Sequence, residues 1–94
     1  MKISANSNYT KRQLVIEEQI LNILNDSSSE DGLLLSNIKD GLINNIPGFK
    51  TSYLTVKGIL DDLVAASLVE VANPGNTTWQ RFRLNNEAWH NMTV

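Results

Sequence analysis

Few residues of this chain are of types that do chemistry, and their arrangement points away from catalysis. His90 is the only histidine; it has no cysteine to join it and no Asp or Glu pair at ligand spacing, so the sequence builds neither a metal site nor a general base around it. Ser27-Ser28-Ser29 stands beside Glu30 and Asp31 with no base to activate a hydroxyl, and no glycine-rich phosphate cradle occurs. An enzyme is therefore the weakest of the function classes, and no cofactor or metal is expected. Binding chemistry remains. Lys50, Lys57, Arg81 and Arg83 can neutralise phosphates, the hydroxyls of Ser52 and Thr55 can bond phosphates or base edges, and Leu54 can pack on a thymine methyl. Trp79, beside the two arginines, has the chemistry to stack on a guanidinium or a base, though covering a hairpin is the commoner use of such a residue.

The elements that must position these residues can be read in order. Residues 1–8 are polar and unpatterned and read as a loose leader before a single domain over 9–94. Thr10 and Gln13 have capping-box spacing, bracketed by Tyr9 and Leu14 as a hydrophobic staple, and they open a helix. Its core face is expected to be Ile16, Ile20, Ile23 and Leu24, with Glu17, Glu18, Asn22 and Asn25 opposite. Lys11 and Arg12 sit in its first turn against the helix dipole, where phosphate contact is one explanation and solvated side chains the simpler one. The turn-rich Asp26–Gly32 ends the helix near Asn25. Leu33-Leu34-Leu35 reads as a short strand, and Ser36 as the N-cap of a second helix whose Ile38, Leu42 and Ile46 repeat every four residues up to Pro47-Gly48.

Thr51 or Ser52 caps a third helix. Val56, Ile59, Leu60, Leu63 and Val64 share its inner face, with Tyr53 at the edge, while Leu54, Lys57, Gly58 and Asp61 share the outer one. Gly58 marks either a close approach of another backbone or simple tolerance. Leu68–Ala72 reads as a strand, Asn73-Pro74-Gly75-Asn76 as a type II turn lengthened by Thr77-Thr78, and Trp79–Leu84 as the returning strand with Phe82 and Leu84 inward. Asn85 opens a last short turn containing Trp89 and Met92.

The whole composition constrains the partner. With 94 residues the chain is long enough for one small core, and no cysteine is present to staple it. A hydrophobic content of 41% argues for a packed globule, and a net charge of -2 excludes a surface that binds polyanions everywhere. Only a local basic patch can do so. No segment is long and apolar enough for a membrane span, and Met1-Lys2-Ile3 is followed by polar residues rather than a signal-peptide core, so a cytoplasmic protein without membrane contact is expected. The sequons at Asn8, Asn76 and Asn91 carry little meaning in that setting.

Two segments carry a resemblance. Thr55-Val56-Lys57-Gly58-Ile59-Leu60-Asp61-Asp62-Leu63-Val64-Ala65-Ala66-Ser67-Leu68-Val69 is similar to the recognition-helix pattern of bacterial and archaeal winged-helix regulators, which ends in Gly-Leu-Val. Arg81-Phe82-Arg83-Leu84-Asn85 is similar to the Arg-Tyr-Arg-Leu-Thr run of their second wing strand. The chain departs at Ser67, where the pattern has Gly, so the turn there is looser or Ser67 is strained. The resemblance covers Tyr9 to about Asn86. It implies a mainly α domain with a small β hairpin (α+β), a winged helix-turn-helix in the order helix, strand, helix, helix, strand, wing, strand. It implies a small prokaryotic or phage transcriptional regulator that binds double-stranded DNA sequence-specifically, third helix in the major groove and wing on the backbone.

The residues nominated by the resemblance are Ser52, Tyr53, Thr55, Lys57, Arg81 and Arg83, and their chemistry adds Lys50 and Leu54. Asp61 and Asp62 stand where many relatives of the pattern carry Lys or Arg, and a carboxylate there repels phosphate. The alternative is a winged-helix adaptor or inhibitor that binds a protein through Leu54, Tyr53 and the wing. A homodimer through the first helix or the C-terminal turn fits either reading.

Overall fold

The computed structural model describes residues 8–27, 31–76 and 78–85. The expected leader, the serines at 28 and 29, Thr77 and the C-terminal turn with Trp89, His90 and Met92 lie outside the described residues.

The first helix, α1 (Lys11–Asp26), begins as its cap chemistry dictates. The Gln13 amide donates to the Thr10 hydroxyl oxygen at 3.2 Å, and the Thr10 amide donates to the Gln13 side-chain oxygen at 2.9 Å. Its buried residues are Ile16, Glu17, Ile20, Leu21 and Leu24. This corrects the expected stripe: Glu17, placed on the solvent side, is 1% exposed, and Ile23 is only half-buried. The cause is tertiary. α1 is covered by more than one neighbour, so a simple wheel with one wet side does not describe it.

Leu33–Leu34 form β1, and the next helix, α2 (Leu35–Asn45), starts without a linker. Ser36 is inside that helix rather than capping it. The N-cap position is Leu34, whose side chain has nothing to accept with, and the free backbone group there is met from the other direction: the Leu34 amide donates to the Asn37 side-chain oxygen at 3.2 Å. Ile38 and Leu42 are fully buried. The close helix approach lies at Gly41, where a Cβ would fall 2.8 Å from Cδ1 of Ile23 on α1. At Gly58 a Cβ would meet nothing within 4 Å, so that glycine is tolerated rather than required by packing within the chain.

The third helix, α3 (Tyr53–Ala65), is capped by Ser52, whose hydroxyl oxygen accepts from the Thr55 amide at 3.3 Å. It ends in a reciprocal pair of bonds, Ser67 N–H to Val64 O and Leu68 N–H to Leu63 O, each 3.0 Å long. That pairing is the Schellman arrangement, which requires a left-handed residue one past the cap. Ser67 occupies it at φ 62°, so the departure from glycine in the sequence is a strained serine in the structure.

β2 (Val69–Val71) and β3 (Arg81–Leu84) pair antiparallel, Val69 opposite Leu84 and Val71 opposite Phe82, and β1 adds to the other edge of β3 to give the order β1-β3-β2. Gly32 at φ 78° admits this pairing, because a Cβ there would stand 2.7 Å from the Phe82 carbonyl oxygen. Both strands are shorter than the alternation suggests, and Trp79 and Gln80 lie outside β3. The side chains of Asn73 and Asn76 take the backbone groups a longer ladder would have used. The turn closes through Asn76 N–H to Asn73 O at 3.0 Å, but Gly75 does not take the positive φ of a type II turn.

Over the described residues the domain is thus α+β, three helices and a three-stranded antiparallel sheet around one core of Ile16, Ile20, Leu24, Ile38, Leu42, Leu60, Leu63, Phe82 and their neighbours. Among the described residues no helix is long and apolar enough to cross a membrane.

Candidate functional site

The face that offers itself to a partner is the outer side of α3 together with the loop of the hairpin. On α3 the core takes Val56, Ile59, Leu60 and Leu63, each at most 3% exposed. The remaining side is bare. Ser52, Thr55 and Gly58 are exposed, Tyr53 is 48% exposed and Leu54 84%. A leucine this exposed gains little from folding, so its apolar surface is available.

The cations do not close into one patch. Lys57 donates to Asp61 one turn along α3 at 2.5 Å, with its Nζ also 5.9 Å from the centre of the Phe82 ring. Arg83 pairs with Glu70 directly opposite it on β2, at 2.6 Å. Arg81 donates to the Gly32 carbonyl at 3.3 Å. Because Phe82 and Leu84 point into the core, Arg81 and Arg83 stand on the sheet face turned away from the helices. The expected union of Lys57 with these arginines is therefore not formed. Lys50 is exposed in the connector just before α3.

Arg12, read as either a phosphate contact or a solvated side chain, does a third thing. Its guanidinium reaches the same connector, donating to the Thr51 hydroxyl at 3.0 Å and to the Lys50 carbonyl at 3.4 Å. The acidic residues that seemed misplaced on a phosphate-binding helix are also accounted for. Asp61 is the counter-ion of Lys57, and Asp62 accepts the hydroxyl proton of Tyr9 at 2.5 Å, tying the residue ahead of α1 to α3. Burial, that hydrogen bond and the charges of Asp62 and Glu17 all hold the Tyr9 hydroxyl in its neutral form, raising its pKa well above the ordinary tyrosine value.

Two features escaped the sequence. The first is Lys39 of α2, whose Nζ lies 3.9 Å from the centre of the Tyr53 ring in a cation–π contact. The only available signal was that Lys39 falls off the Ile38–Leu42 stripe. The second is a groove of about 360 Å³ between the start of α2, the first turns of α3 and the hairpin, lined by Leu34, Leu35, Tyr53, Lys57, Trp79 and Phe82. Three segments distant in sequence build it, so no local pattern announces it. Among the described residues no group of metal-binding side chains gathers. Comparison with known proteins returned no matching family model, no matching curated protein and no matching solved structure.

Proposed function

We propose that this protein is a small DNA-binding regulator of the winged helix-turn-helix type, with α3 presented to the major groove of a duplex and the β2–β3 hairpin beside it. The observation that carries the reading is the division of α3 into a face used by the core and a face on which Ser52, Leu54, Thr55 and Gly58 stand exposed, with Tyr53 and Lys57 at its edge toward α2 and the hairpin. Lys50 and Lys57 supply phosphate contacts at its start, Ser52 and Thr55 hydroxyl contacts, Tyr53 and Leu54 the apolar contacts, and Lys39 an additional cation on the same side. Arg81 and Arg83 are auxiliary, since each is already held within the chain. The pair between Lys57 and Asp61 is no obstacle, because an exposed ion pair contributes about 0–1 kcal/mol and exchanges readily for a phosphate.

Fluorescence anisotropy with a pool of labelled duplexes tests this. Binding weakened at least several-fold by Lys50→Gln with Lys57→Gln, and weakened by added salt, supports it; binding indifferent to both changes sinks it.

A second reading has its own observation. Tyr53 and Trp79 are exposed aromatics lining an apolar groove, Leu54 stands exposed next to Tyr53 in the chain, and Lys57 at the groove is paired with Asp61, which is the make-up of a protein-docking surface. Under it, affinity capture recovers one defined partner that Leu54→Asp abolishes, and duplex DNA does not compete.

A further inference from the structure

We infer that the groove between α3 and the hairpin is a pocket for an unpaired nucleobase, so that the protein engages single-stranded or locally opened DNA in addition to a duplex. This rests on the DNA-binding reading and extends it to a second substrate form.

The floor is Phe82, buried to 1% exposure, with Leu34 and Leu35 beside it, and the aromatic rings of Tyr53 and Trp79 are among the lining. Trp79 is 65% exposed, yet its backbone is fixed. Its amide donates to the Asn76 side chain at 2.8 Å, its carbonyl accepts from the Asn73 side chain at 2.8 Å, and Asn73 also accepts the Arg81 amide at 2.7 Å. Both asparagines thus fix the backbone that carries the Trp79 ring at the groove. Lys39 lies over the Tyr53 ring.

Charge selects the occupant. Among the described residues Lys57 is the one cation of the lining and no carboxylate lines the groove; Asp61, which pairs with Lys57, stands outside the lining, and that exposed pair exchanges for a phosphate, while Lys39 adds a cation on the Tyr53 ring. A planar, weakly polar group attached to an anion fits such a place, and a base on its phosphodiester is that group. Thr78 and Gln80 at the rim can bond a base edge without demanding one base over another. The volume, about 360 Å³, lies at the small end of the range for ligand sites, room for a base rather than a folded element.

The test compares a short thymidine homopolymer with a fully paired duplex, using the whole protein, its Trp79→Ala and Trp79→Phe variants, and anisotropy as the readout. Loss of one stacked base predicts that Trp79→Ala weakens the single strand about ten-fold. Trp79→Phe restores most of it, and Trp79→Ala weakens the duplex several-fold less than it weakens the single strand. The difference in emission between wild type and Trp79→Phe isolates Trp79, and the homopolymer quenches it while the duplex does not. A single strand that fails to bind, or binds Trp79→Ala as well as wild type, overturns the inference. If the duplex still binds in that case, only the groove assignment falls; if neither form binds, the DNA-binding reading falls with it. Quenching by an acidic, leucine-rich peptide and by no oligonucleotide puts a protein segment in the groove and also overturns it.

Discussion

Ser67 is left-handed only because the fold demands it there. The reciprocal bonds at the end of α3 need a residue with positive φ, and a Cβ in that region costs about 1–2 kcal/mol, part of which glycine gives back through its freer unfolded chain. Ser67→Gly is therefore expected to stabilise the protein by about 0.5–1 kcal/mol, a rise in Tm of a few degrees by thermal melting. Gly58 makes the opposite case on the same helix. With nothing near it and a solvent-facing position, Gly58→Ala is expected to raise stability by up to about 1 kcal/mol. If the same variant loses duplex affinity while melting higher, the glycine serves close approach to the partner; if affinity holds, it serves nothing. The sequence narrows Ser67 to a looser turn or a strained residue, because the matter is local to one cap, and the backbone at φ 62° decides for strain. The burial of Glu17 was not legible there, since its neighbours come from elsewhere in the chain.

Element by element, what was readable depended on how far the deciding contacts lie along the chain. The capping box of α1, the Ser52 cap and the inner stripe of α3 are settled within a few residues, and all three stand as the sequence implies. The start of α2 and the length of β3 are different. Each was decided by an asparagine side chain competing for backbone groups, at Asn37 in one case and at Asn73 and Asn76 in the other, and polarity patterns do not register such competition. The contact between Tyr9 and Asp62 spans 53 positions and left no trace in the pattern beyond two residues that seemed out of place.

That contact makes a prediction at the same scale. The neutral Tyr9 hydroxyl is the donor, and its pKa in the folded chain is raised above the unfolded value near 10. Above that pH the unfolded chain has released the proton and the folded chain has not, so the contribution is complete below about pH 10 and is lost as pH climbs toward the folded value. Chemical denaturation of wild type and Tyr9→Phe across alkaline pH should show wild type more stable at neutral pH and the two converging as the solution becomes more basic. A constant difference would mean the hydroxyl contributes by packing and not by its proton.

For the molecule as a whole, charge is the quantity that separates the readings. The net charge is -2, and the arginines of the hairpin are occupied by Glu70 and by the Gly32 carbonyl, so under the proposed reading a duplex on α3 would meet chiefly Lys39, Lys50 and Lys57. Neutralising about three phosphates releases about that many counterions, and the slope of log affinity against log salt should be roughly -2 to -3. A regulator with a continuous basic face would give a far steeper line. Anisotropy titrations at several salt concentrations measure the slope directly, and Lys57→Gln should flatten it by about one, whereas Arg83→Gln, which frees Glu70 on the far side of the sheet, should leave it nearly unchanged. A steep slope that Arg83→Gln reduces as much as Lys57→Gln would mean that the duplex wraps onto the outer sheet face, and that α3 is not the centre of the contact. A flat slope with tight binding would instead transfer the weight to Leu54, Tyr53 and Trp79, the groups whose attraction to a partner does not depend on salt.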